Sequence, residues 1–164
     1  MSYNPESVND PAAYLQTLIS VALIRPDAHD QTMIGPGTDG MEARMLTLPL
    51  DGQDIIVGSS VGYTTKDGQT VWHVRTPGAV GTEALLHDET GFMDIQLFSG
   101  GDVSVVNVPT KDGENTRSIT DPDEKAMCIA LATNTLERTI EANPVTPLEA
   151  KKYSWLGRLL SRRL

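Results

Sequence analysis

Residues 46–57 read Leu46-Thr47-Leu48-Pro49-Leu50-Asp51-Gly52-Gln53-Asp54-Ile55-Ile56-Val57, and this stretch decides the fold class. Leu46, Leu48 and Leu50 alternate with Thr47 and Pro49, the period-two spacing of a strand with one buried face. Asp51-Gly52 follows, a pair that tolerates the positive φ angles of a tight hairpin turn. The next apolar run, with Ile55, Ile56, Val57 and Val61, predicts a partner strand over 54–64.

Moving outward, Lys66-Asp67-Gly68-Gln69 marks a second turn and 70–75 a third strand. On that strand Trp72 and Val74 share one face, and Val71, His73 and Arg75 the other. Two more strands, over 91–98 and 102–108, flank the glycine loop Ser99-Gly100-Gly101. Five strands joined mostly by short turns predict a mainly antiparallel sheet, because parallel neighbours need long crossovers. Thr82 to Glu89, between the third and fourth strands, predicts a short helix or helical turn.

Helices bracket the sheet. Asp10-Pro11 supplies a cap followed by proline at the first helical position, and Pro26 ends the segment near Leu23–Arg25. Leu15, Leu18, Ile19, Ala22 and Leu23 form a helical stripe that Tyr14, Val21 and Ile24 widen, and no charge falls between Asp10 and Arg25. Such a helix is either deeply buried or shared with a second subunit. Asp121-Pro122-Asp123-Glu124 opens a second helix by the same device, and its acids suit the positive end of the helix dipole. Met127, Ile129, Leu131, Ala132, Leu136 and Ile140 give its apolar face, with Cys128 as a small buried hydrophobe. The predicted fold is α+β: a five-stranded sheet with an N-terminal and a long C-terminal helix packed on it. Residues 1–9 are a flexible polar lead, 10–143 a single domain and 144–164 a basic helical tail.

That tail follows the capping-box spacing Thr146-Pro147-Leu148-Glu149. Leu148, Trp155, Leu156, Leu159 and Leu160 stand there beside Lys151, Lys152, Arg158, Arg162 and Arg163. Residues 1–150 hold 8 Lys and Arg against 22 Asp and Glu, whereas residues 151–164 hold five basic residues and no acidic one. An acidic body repels nucleic acid and anionic surfaces over a Debye length of about 8–10 Å. The tail packs on that body, lies on a membrane surface or docks in a protein groove; no nucleic-acid partner is expected. A single cysteine excludes an internal disulfide framework. No secretory leader pattern opens the sequence and no apolar run is long enough to span a bilayer, so a cytoplasmic protein is expected.

Motifs of chemistry fail on context. Asp27-Ala28-His29-Asp30 lacks the further converging ligands of a metal site, and Gly35-Pro36-Gly37-Thr38-Asp39-Gly40 lacks the strand and lysine of a phosphate loop. Both fall in a stretch, 27–40, expected to be a surface loop. Gly58-Ser59-Ser60-Val61-Gly62 matches a nucleophile elbow, but no helix follows it, so a strand with a bulge or bend at its glycines is expected. His73 is expected to face solvent, and His87 beside Asp88 to be a solvated pair. A serine hydrolase using Ser60 with His73 or His87 is the weaker alternative. No catalytic residue, metal or cofactor is assigned.

The order of elements, with the stretches 14–23, 46–54, Ala84-Leu85-Leu86 and 127–140, resembles the type III secretion chaperones. The long loop after Pro26 and the tail after Asn143 depart from that pattern. The resemblance implies a non-catalytic homodimer that binds an extended segment of a client protein. The partner-binding residues expected are Tyr14, Leu15, Leu18, Val21 and Ile24 on the first helix. Trp155, Leu156, Arg158, Leu159, Leu160, Arg162 and Arg163 are expected in the tail, where 146–164 is also the segment for membrane or complex anchoring.

Overall fold

The computed structural model describes residues 10–33, 41–61, 68–77, 92–108 and 117–145. Helix α1 (Pro11–Leu23) is followed by strands β1 (His29–Met33), β2 (Met41–Leu50), β3 (Gln53–Val61) and β4 (Val71–Pro77). Strands β5 (Phe92–Phe98), β6 (Val103–Val108) and β7 (Arg117–Ile119) complete the sheet before helix α2 (Pro122–Ala142). The seven strands lie in sequence order, each antiparallel to the next. Among the described residues the architecture is α+β, an open antiparallel sheet with two helices.

The five predicted strands are β2 to β6, and two more flank them. β1 falls inside the expected surface loop. Its sequence, His29-Asp30-Gln31-Thr32-Met33, has no apolar alternation to betray it, because an edge strand needs only backbone pairing with β2. β7 is three residues long, too short for a period, yet it sets Ile119 into the core. The predicted short helix over 82–89 and the tail over 146–164 lie outside the described residues.

Turn and cap chemistry behave as expected. Asp51 and Gly52 have φ of 51° and 78°, the two positive values that a hairpin of matching twist requires. The Asp10 carboxylate accepts from the amides of Ala12 and Ala13, and Asp121 from that of Glu124.

Register explains the core. Leu46, Val57, Val74, Ile95, Val105 and Ile119 are successive partners across six strands, so they stand in one row on one face. All six are buried, and both helices cover that face. α1 contributes Leu15, Ile19, Ala22 and Leu23. α2 contributes Cys128, Ile129, Ala132 and Leu136. Met127 is a correction: it is 50% exposed, and Thr133, Thr135 and Thr139 are buried instead. Thr133 and Thr139 donate their hydroxyls to the carbonyls of Ile129 and Thr135, which removes the cost of burying them.

The helices are tied to each other and to the sheet. The Tyr14 hydroxyl donates to Glu137, and Arg25 donates to the Asn143 carbonyl while pairing with Asp27 at 2.9 Å. The Asn143 amide in turn donates to the Pro49 carbonyl at 2.8 Å.

Candidate functional site

On the helix-covered face, α1 stops short of the far ends of β1 to β4. The row there is Asp30, Arg44, Ser59 and Trp72, partners across four neighbouring strands, with Thr32 and Glu42 in the adjacent row. Ser20, Leu23 and Ile24 on the last turns of α1 form the wall. Together they line an open groove of about 470 Å³. The core rows are mainly apolar; this row is mainly polar, and among the described helices α1 meets it only through Ser20, Leu23 and Ile24.

Charge along the groove is graded. Asp30 and Glu42 are exposed carboxylates at the β1 end. Arg44 sits beside Asp30, Nε to Oδ1 at 3.9 Å, and its Nη2 lies 3.5 Å from the carbonyls of Arg25 and Ala28. Those carbonyls lie in the turn between α1 and β1, so the guanidinium braces that connection. Its buried Nε has no hydrogen-bond partner. At the other end the half-buried Trp72 packs against the core. The groove thus offers acid, base, hydroxyl and aromatic surface in that order.

The opposite face carries a second group. Gly58, His73, Gln96 and Ser104 are partners across β3 to β6, and Ile56, Arg75, Asp94 and Val106 form the neighbouring row. Arg75 pairs with Asp94 at 3.0 Å; the carboxylate is buried and the guanidinium only partly so. Arg75 Nε and Asp94 Oδ1 make no hydrogen bond. The His73 ring rests on Gly58, where a Cβ would stand 2.5 Å from its Cε1. The expectation that His73 faces solvent is therefore corrected. Burial pushes its pKa below the ordinary 6.5; Asp94 acts upward and Arg75 downward.

Ser60, His73 and Asp94 share this face, but the geometry is not that of a nucleophile elbow. Ser60 stands inside β3, paired with Ala43 on one side and Val71 on the other, so the backbone around it is committed to ladder bonds. No bulge interrupts the register from Gln53 to Val61, so none stands at Gly58, and Gly62 lies outside the described residues. Asp94 bonds Arg75, and no bond joins Ser60 to His73 among the described residues. His87 lies outside them. Among the described residues no group of three or more His, Cys, Asp or Glu is placed to hold a metal ion. No described helix is long and apolar enough to cross a membrane.

The partner-binding residues expected on α1 are divided. Leu15 is fully buried, Leu18 is half-buried against the core, and Tyr14 is half-buried and bonded to Glu137. Val21 is 40% exposed, and Ile24 lines the groove. The sheet and α2 cover Leu15, Ile19, Ala22 and Leu23 of α1 within one chain, whereas Val21 is left exposed. Trp155, Leu156, Arg158, Leu159, Leu160, Arg162 and Arg163 lie outside the described residues. Sequence reasoning missed Arg44, Asp30 and Glu42, because their convergence is set by the β1–β2 register and not by spacing along the chain.

Compared with family models, with curated proteins and with solved structures, the chain matches none.

Proposed function

We propose that this chain is a non-enzymatic polypeptide-binding module and that the groove over Asp30, Arg44, Ser59 and Trp72 is where the client segment lies. The observation that carries the reading is the groove's mixture of surfaces. An aromatic floor favours an apolar side chain, and the flanking carboxylates and guanidinium favour the charged and amide groups of a peptide. The resemblance to type III secretion chaperones supports the same class. The homodimer which that resemblance implies would need a surface other than the stripe α1 buries in its own core.

Selection from a displayed library of random peptides tests the reading. Peptides enriched on the full chain are expected to lose at least about tenfold in affinity on Trp72→Ala, the scale of one buried aromatic anchor. Peptides that bind Trp72→Ala equally well, or no enrichment at all, would count against it.

A further inference from the structure

We infer that the client segment is cationic and extended, with a Lys or Arg side chain against Asp30 and Glu42 and, four residues away, a large apolar side chain on Trp72. The inference rests on the proposed reading of the groove as a polypeptide site and names the class of polypeptide it takes.

Charge comes first. Three charged side chains line the groove: Asp30, Glu42 and Arg44. Arg44 answers at most one of the two carboxylates. It reaches Asp30 only at 3.9 Å and turns its Nη2 to the carbonyls of Arg25 and Ala28. Glu42 has no ion-pair partner among the described residues. The Asp30 side chain is 83% exposed, so it is open to a ligand. Next to the wall, Arg25 is committed to Asp27 and to the Asn143 carbonyl. The lining therefore carries one net negative charge. Residues 1–150, which contain it, hold 22 Asp and Glu against 8 Lys and Arg, so the surrounding field has the same sign and draws cations in.

Register then sets the two carboxylates side by side. Asp30 pairs with Arg44, and Glu42 with Thr32 two residues along β1, so the carboxylates are diagonal neighbours on one face of the ladder. Diagonal positions stand roughly 7–8 Å apart, and a guanidinium or ammonium entering between them meets both.

Spacing fixes the form of the segment. Asp30, Arg44, Ser59 and Trp72 are partners across β1 to β4, so the acidic and aromatic ends are three strands apart, roughly 14 Å. Four residues of extended chain cover roughly 13–14 Å and return a side chain to the same face, because the strand period is two. On a helix four residues advance only roughly 6 Å, too short to reach both ends. The residue midway also faces the sheet, over Arg44 and Ser59, where a polar side chain fits and a second cation does not.

Peptides selected from a displayed random library on the full chain test this. Enriched sequences are expected to carry Lys or Arg four residues from a large apolar residue, in either chain direction. Asp30→Asn with Glu42→Gln should weaken such a peptide on the order of fivefold by calorimetry, the scale of partly exposed ion pairs. Asp54→Asn with Asp102→Asn removes the same charge from exposed positions outside the groove lining and should leave affinity within about twofold. Replacing the peptide's basic residue by Ala should cost about fivefold on the unmodified chain and nothing on the chain lacking both groove carboxylates. Absence of basic residues from the enriched set, no loss on Asp30→Asn with Glu42→Gln, equal losses in the two double variants, or additive losses in that cycle would each overturn the inference. If the peptides still require Trp72, the cationic inference alone falls and the groove reading stands. If they do not require Trp72, the groove reading falls and takes the inference with it.

Discussion

Gly58 is where a single side chain decides local geometry, because its missing Cβ is the seat of the His73 ring. Gly58→Ala sets a methyl 2.5 Å from Cε1 and 2.9 Å from Nε2, so the ring must move. The expected loss is about 1–2 kcal/mol in urea denaturation, and Gly58→Ala with His73→Ala should recover most of it. The neighbouring ion pair is asymmetric. Arg75→Ala strands a buried carboxylate and should cost about 3 kcal/mol, whereas Asp94→Ala leaves a partly solvated guanidinium and should cost nearer 1. Equal losses would show that the pair is not held as described. His73 gives a pH signature. With its folded pKa below 6.5, the unfolded chain takes up the proton first, so the neutral ring contributes stability above about pH 6.5. That contribution is lost as pH falls from 6.5 through the depressed value. His73→Gln should flatten the stability profile over that window in chemical denaturation.

At the scale of elements, the two helices begin alike and should respond alike. Asp10→Ala and Asp121→Ala remove side-chain acceptors from two amides and one amide respectively, and each should cost about 1 kcal/mol by thermal or urea unfolding. A loss below a few tenths would mean that the caps are replaced by water. These starts were legible because cap, proline and apolar stripe all lie within one turn of chain. The hairpin at Asp51-Gly52 and the faces of β4 were legible for the same reason: strand period and turn chemistry are local. β1 and β7 were not. One is polar and the other three residues long, and each exists because a neighbour supplies the ladder. The glycines of 58–62 misled in the other direction. They suggested a bulge or bend, whereas Gly58 stands in unbroken register and admits a side chain from the next strand.

The whole molecule divides its charge between an acidic body and a basic end, and the groove lies on the acidic body. None of the groove was legible along the chain, since Asp30, Arg44, Ser59 and Trp72 are brought together by three separate registers. The proposed reading depends on which face of β4 meets a ligand. Trp72 and His73 are adjacent in sequence and point to opposite faces, so they make the sharpest comparison. The decisive measurement is peptide affinity by fluorescence on Trp155→Phe, in which Trp72 is the sole tryptophan, and by calorimetry on Trp72→Ala and His73→Ala. The account predicts that Trp72 emission titrates with peptide, that Trp72→Ala weakens binding at least about tenfold, and that His73→Ala leaves it unchanged. Loss of binding on His73→Ala with Trp72→Ala unaffected would place the ligand on the other face and contradict it.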